Sequence, residues 1–167
     1  TLLLENSVDY VLCVVPNDDS EQMFRYKVCK TVEEVRDGSR SCYYPLTTQD
    51  VLSFVTENDG RYAIVGLPCV CRAIRLAQNQ SKKIRDRIKY LVGLVCGQTK
   101  SKFFVEHICA LGGADPHNLK KVQFRIKDIA RPASDFGLKY FCEDDGHAIT
   151  SGTVFWAQGM NKVWVNR

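Results

Sequence analysis

Two segments of this chain share one build: an apolar, strand-like run, then Gly-Leu-x-Cys, then a helix start. The first is residues 61–65 followed by Gly66-Leu67-Pro68-Cys69; the second is residues 90–95, whose last three residues and the next make Gly93-Leu94-Val95-Cys96. A helix-period stretch follows each. Pro68 suits the first turn of the first helix, where its missing N–H leaves nothing unpaired. That helix runs to about Gln78 and helix continues over 82–88, while Ser101 opens another that Gly112 and Gly113 stop. With residues 121–126 as a further strand, the centre reads β-α-β-α-β. Such alternation predicts a parallel sheet with right-handed crossovers.

The flanks read differently. Residues 8–15 form a β-branched run closed by Pro16, and residues 23–29 alternate as its hairpin partner across the turn chemistry of Asn17, Asp18, Asp19 and Ser20. Thr31 and Glu34 make a capping box for a short helix that Gly38 ends. Thr47 to Asp50 is a second helix start, with Val51, Leu52 and Val55 as its apolar face. Residues 138–142 and 148–153, around Asp145-Gly146, predict a C-terminal hairpin. The expected fold is α/β: a central, mostly parallel sheet with helices on both faces and antiparallel hairpins at the flanks. Residues 1–167 are expected to form a single α/β domain.

Composition enters through its exclusions. Eight cysteines among 167 residues fall below the ~8–10% of a short secreted disulfide scaffold. No apolar run approaches the ~20 residues of a membrane span, and no secretory signal pattern opens the chain. The expected compartment is the cytoplasm, where thiols stay reduced. The net charge of +4 gathers in Lys82, Lys83, Arg85, Arg87 and Lys89. No aromatic residue interleaves with that run before Tyr90, so it reads as a solvated helix face and not a nucleic-acid surface. Thr1 stands where Met would, and residues 2–6 read as the tail of a helix, so we expect the chain to begin inside a larger protein.

Chemistry is expected at the repeated motif. Ligands of an open parallel sheet bind beyond the carboxyl ends of its strands, where Cys69 and Cys96 both fall. A helix N-terminus beside each favours the thiolate, the form that soft metals and iron–sulfur clusters require. Gly97 leaves room for a cofactor against the backbone. Cys13, Cys29, Cys109 and Cys142 read as small core residues, and Cys71, two residues after Cys69, points to another side of the helix. No C-x-x-C pair is present, so no complete zinc or ferredoxin motif lies in the chain. A competing arrangement is C-x5-R, Cys69 to Arg75, as in a cysteine-dependent phosphatase with a thiolate nucleophile and an arginine for phosphoryl oxygens. Its intervening residues read as helix, whereas a phosphate cradle favours glycine. The stretch from Gly97 to Ser101 at a helix start can hold an anion but is no P-loop.

Taken in order, Val8-Asp9, Ser41-Cys42-Tyr43-Tyr44-Pro45, the GLPC-x-x-R-A-x-R run from Gly66 to Arg75, Gly93 to Ser101, and Phe124-Arg125-Ile126-Lys127 resemble the coenzyme F-420 hydrogenase/dehydrogenase beta subunit family. The resemblance covers roughly residues 1–130, with 1–60 similar to the family's N-terminal domain and 61–167 to the start of its C-terminal domain. It implies an iron–sulfur flavoprotein oxidoreductase module that passes electrons between a [4Fe–4S] cluster, FAD and a deazaflavin (coenzyme F-420, as substrate) or a ferredoxin-like partner. Implied partners are a ferredoxin or a hydrogenase or dehydrogenase subunit, without nucleic acid or a membrane span. Cys69 and Cys96 are then cluster ligands, and Ser41, Tyr43, Gly66, Pro68, Gly97 and Thr99 line the cofactor crevice. Arg125 and Lys127 meet phosphate or an acidic partner surface. No catalytic acid–base residue is singled out.

The sequence departs from the family at Cys42, where a basic residue often follows the serine, and in the family's flanking cysteine-rich and C-x-x-C segments, which are missing. The chain therefore reads as a piece of a longer protein. It offers two of a cluster's four ligands, and the isolated piece is expected without the cluster. The alternative is a non-catalytic binding domain of the same fold linked to polysaccharide biosynthesis.

Overall fold

A computed structural model of the chain describes residues 2–17, 22–96, 99–144 and 147–159. The chain divides into two compact units. Unit 1 comprises Thr1–Pro16, Phe24–Ser39 and Leu46–Gln98; unit 2 comprises Asn17–Met23, Arg40–Pro45 and Thr99–Arg167.

Unit 1 is the α/β part. Its strands are β1 (Tyr10–Pro16), β2 (Phe24–Cys29), β3 (Tyr62–Gly66) and β4 (Ile88–Gly93), and its helices are α1 (Val32–Asp37), α2 (Gln49–Glu57), α3 (Pro68–Gln80) and α4 (Lys82–Arg87). The sheet order is β2-β1-β3-β4. β1, β3 and β4 run parallel, and β2 pairs antiparallel with β1 as a hairpin. Alternate side chains feed two cores, as the period of a strand requires. Leu12, Tyr62 and Ile64 meet Val51, Val55, Ile74 and Ile84 of α2–α4 on one face. Val11, Cys13, Val15 and Ala63 lie on the other, covered by Val35 of α1 and by Leu2 and Leu3. Buried on both faces, β1 and β3 carry the near-continuous apolar runs of a covered parallel sheet.

The local signals behave as their chemistry dictates. Thr31 and Glu34 close both halves of the capping box on α1, and Gly38 ends that helix. Pro68 opens α3. Residues 2–6 form turns in place of the expected helix tail. β4 starts at Ile88 and ends at Gly93, earlier than the expected 90–95, because Ile88 leaves the helix to pair with Tyr62.

Asp9 ties the start of β1 to β3. Its carboxylate accepts from the Arg61 backbone N–H at 2.7 Å and from the guanidinium at 2.8 and 3.1 Å. Those bonds hold the carboxyl down, from 3.8 to about 2. A folded pKa below the unfolded one stabilises the protein above the unfolded value, and the contribution is lost as the pH falls through the folded one. Asp9→Asn is therefore expected to flatten the acid limb of unfolding between about pH 4 and 2. The check is the urea midpoint of the two proteins at a series of pH values.

Unit 2 holds α5 (Lys102–Leu111), a 3-10 turn (Pro116–Asn118) and the strands β5 (Leu119–Ile126), β6 (Gly137–Glu143) and β7 (Ile149–Phe155). They form an antiparallel sheet in the order β5-β6-β7, so β6 and β7 are the expected hairpin. Its turn residues Asp145 and Gly146 lie outside the described residues, as do Asp18, Asp19 and Ser20 of the first hairpin. α5 buries Phe104, Val105, Ile108 and Cys109. The β-α-β-α-β expectation needs correction here. β5 pairs with β6 and not with β4, and the third parallel strand is β1. The reason is in the burial pattern. β5 buries Leu119, Val122 and Phe124 while Lys120, Lys121 and Arg125 face solvent, the half-covered pattern of an antiparallel sheet.

The four cysteines read as core residues are buried and lie in pairs. The Sγ atoms of Cys13 and Cys29 are 3.6 Å apart, and those of Cys109 and Cys142 3.5 Å. Hydrogen bonding to Cys13 and burial push the Cys29 thiol up, and burial pushes Cys109 up to about 12. The Cys29 and Cys109 thiols therefore stay protonated and pack as apolar groups.

Candidate functional site

In unit 1 the two repeated motifs fall side by side. β3 and β4 are neighbours, with Val65 opposite Val92 and Gly66 opposite Gly93, and the Leu94 N–H donates to the Gly66 carbonyl at 2.9 Å. Both Gly-Leu-x-Cys segments therefore leave the sheet at one edge, the carboxyl end. Cys69 occupies the first turn of α3 and is exposed, while Cys96 is half-buried. Leu67 precedes α3 without a side-chain cap.

Gly66 is tightly enclosed. A Cβ there would stand 2.9 Å from Val70 Cγ1 and 3.3 Å from the Tyr26 hydroxyl. The strand turns into α3 so sharply that the helix's first turn packs back over it. Gly66→Ala is expected to destabilise unit 1 by about 1–3 kcal/mol, the usual cost of overpacking, read as a shift of the urea midpoint. Gly93 differs: the nearest atom to a Cβ would be Cys71 Sγ at 3.8 Å.

Cys71 is the residue that motif reading passed over. Its thiol donates to the Gly66 carbonyl at 3.7 Å, so its sulfur lies at the ends of β3 and β4. The signal was available: Cys71 stands one helical turn after Leu67 and so faces back toward the strand it follows. The C-x5-R segment is helix throughout. Arg75 bonds Gln78 at 3.0 Å, and the Cys71 N–H is already spent on Leu67. The phosphatase reading has no cradle of free N–H groups here.

Of the other predicted residues, Pro68 lies in unit 1 beside Cys69, and Gly97 lies outside the described residues. Ser41, Tyr43 and Thr99 belong to unit 2. Ser41 and Tyr43 are half-buried and Thr99 is exposed, and the Tyr43 ring meets Phe124 edge-on with centroids 5.3 Å apart. Cys42 is pushed up to about 12 by burial, which keeps it neutral. Arg125 stands at φ 57, where the register of β5 shifts. Its guanidinium and the Lys127 ammonium each lie 5.6 Å from the Phe136 ring centroid.

Family comparison supplies the context. Residues 1–53 match the model for the coenzyme F420 hydrogenase/dehydrogenase beta subunit N-terminus, and residues 59–151 match that for the C-terminus. The chain belongs to this family. In the F420-reducing [NiFe] hydrogenase complex from Methanosarcina barkeri, solved as a xenon derivative, one chain is similar in fold. The TM-score is 0.62 at 18% identity, over 96% of this chain and 52% of that one. This beta-subunit relative thus spans about half the length of the solved chain it matches. No curated protein sequence matches it. No helix among the described residues is long and apolar enough to cross a membrane.

A four-thiolate cluster is not completed by what is present. No group of three or more His, Cys, Asp or Glu side chains that could hold a metal occurs among the described residues. Cys69 and Cys96 offer two sulfurs from adjoining strand ends, and nothing described brings two more to them.

Proposed function

We propose that the chain is part of an iron–sulfur flavoprotein oxidoreductase that passes electrons between a [4Fe–4S] cluster, FAD and coenzyme F420 or a ferredoxin-like partner. The observation that carries this reading is the pairing of two Gly-Leu-x-Cys segments on adjacent parallel strands in a member of a hydrogenase/dehydrogenase beta-subunit family. The similar solved chain comes from an F420-reducing hydrogenase complex, and a hydrogenase or dehydrogenase subunit is the proposed partner. In this reading Cys69 and Cys96 supply two cluster thiolates and residues other than the described ones supply the rest. Ser41, Tyr43, Gly66, Pro68, Gly97 and Thr99 are the proposed cofactor-binding residues. When bound, cluster and flavin supply the redox chemistry, and the protein supplies placement. A reducing compartment, the cytoplasm, belongs to the same proposal, in keeping with eight cysteines that form no disulfide.

The test is a visible absorption spectrum of the full-length protein purified without oxygen, with iron and flavin assayed on the same sample. Flavin bands, a broad iron–sulfur shoulder and about four irons per chain are the expected result. A colourless protein that takes up neither iron nor flavin on reconstitution would mean that the fold serves binding alone.

A further inference from the structure

We propose that Cys13 and Cys29 form a reversible redox switch in unit 1: a hydroperoxide joins them as a disulfide, and the new bond loosens α1, which covers them. The switch is independent of the cluster and flavin reading. Cys13 faces Lys27 across the β1–β2 hairpin, so Cys29 is its diagonal neighbour, and the two sulfurs are 3.6 Å apart. Closure brings them to about 2.05 Å. Diagonal Cα atoms stand about 7–8 Å apart, just past the usual disulfide span. Closing the bond therefore shifts the strands, and a bond formed under strain is readily reopened by thiols.

The Cys109–Cys142 pair has its sulfurs as close, at 3.5 Å, but differs in two ways. The first is asymmetry between the thiols. A hydrogen bond from Cys29 holds the Cys13 thiol below its usual value against the effect of burial, and the Lys27 charge pulls the same way. The same bond pushes Cys29 up. Cys13 is thus the nucleophile and Cys29 the resolving thiol, whereas burial pushes Cys109 up to about 12. The second difference is cover. Cys13 and Cys29 are 5% and 0% exposed, and Val35 of α1 packs on their cluster with Leu2 and Leu3. Yet α1 has six residues and buries none of them. The Lys27–Glu34 ion pair at 2.8 Å, itself partly exposed, fastens it to β2. A short helix with so little burial opens at low cost. α5, which carries Cys109, buries four residues. At the end of α1, a Cβ on Gly38 would stand 3.3 Å from Cys13 Sγ, so the helix end rests on a sulfur that closure moves.

The chemistry balances. The Cys13 thiolate attacks one peroxide oxygen, the O–O bond breaks, and Cys13 becomes a sulfenic acid as the other oxygen leaves as water. The Cys29 sulfur then displaces the sulfenic oxygen, which leaves as a second water with the Cys29 proton. Two thiols are oxidised and one peroxide takes up their two electrons. In a reducing compartment such a bond is transient, as redox-sensing disulfides are.

The test exposes the 167-residue chain to hydrogen peroxide, maps its cysteines by alkylation and mass spectrometry, and follows amide exchange. A Cys13–Cys29 disulfide that dithiothreitol reverses is expected, formed about tenfold faster than any Cys109–Cys142 bond because rate follows thiolate fraction and access. Exchange should quicken in α1 and stay slow in α5, which also shows that the chain remains folded. Cys29→Ser is expected to leave Cys13 as a sulfenic acid that dimedone captures. Glu34→Gln is expected to speed closure about two- to fivefold, the opening gained by losing an exposed ion pair. Cys13 and Cys29 both still free once the exposed Cys69 is fully oxidised, Cys109–Cys142 closing at the same rate, or α1 exchange unchanged in the disulfide form would overturn the proposal.

Discussion

Replacing Tyr140 with alanine is expected to cost unit 2 about 3–5 kcal/mol, the range for deleting a large buried ring. The ring is 6% exposed and lies in space that two glycines vacate. A Cβ on Gly152, its cross-strand partner on β7, would stand 2.2 Å from the Tyr140 hydroxyl, and one on Gly112 would stand 2.5 Å from it. The hydroxyl donates to the Gly112 carbonyl at 2.8 Å, which joins the end of α5 to β6. Burial pushes the Tyr140 hydroxyl up, so it remains a neutral donor. Gly152→Ala alone is expected to cost about 1–3 kcal/mol by overpacking. In a Tyr140→Ala background that cost should fall close to zero, because the clash has lost its partner. Amide exchange along β6 reads both effects. A Gly152→Ala penalty that persists without the tyrosine ring would mean that backbone conformation, and not the ring, demands glycine there.

Cys69→Ser and Cys96→Ser in the full-length protein are each expected to remove most cluster iron and the iron–sulfur absorbance, since a serine oxygen is a poor substitute for a thiolate on this soft site. The strand order puts the two residues at one sheet end: β3 and β4 are hydrogen-bonded neighbours in parallel register. Cys71→Ser makes the discriminating comparison. Its thiol is engaged with the Gly66 carbonyl at 3.7 Å, and a serine hydroxyl can keep that bond, so iron content is expected to stay. Flavin should be retained in all three variants if cluster and flavin are held by different residues. Full iron in both Cys69→Ser and Cys96→Ser would sink their assignment as ligands. Loss of iron in Cys71→Ser alone would move the ligand role to the other sulfur of the helix.

Most elements of this chain were legible from residues alone, because their causes are local. The capping box of Thr31 and Glu34 satisfies orphan N–H groups within one turn. Pro68 has its φ preset for a helix start, and Gly112 ends α5 where the periodic apolar run stops. The echo of Gly66-Leu67-Pro68-Cys69 in Gly93-Leu94-Val95-Cys96 put both candidate cysteines at the carboxyl ends of strands; that the two strands are neighbours came from the pairing of β3 with β4. Their role as ligands rests on the iron assay above.

Where a strand goes depends instead on which surfaces remain to be covered, and that is a property of the whole chain. Residues 119–126 are strand by any local reading, but their half-buried pattern finds its cover in β6 and α5, not in the sheet of unit 1. Ile88 has a helical neighbourhood in sequence and a strand partner in space, Tyr62. The same holds for side chains. The sulfur contacts of Cys13 with Cys29 and of Cys109 with Cys142 and the bond of the Tyr140 hydroxyl to Gly112 all join residues distant in sequence. Propensity and capping act over a turn and were readable from the sequence; strand partnership and side-chain contact are set by long-range burial, and only the tertiary structure decided them.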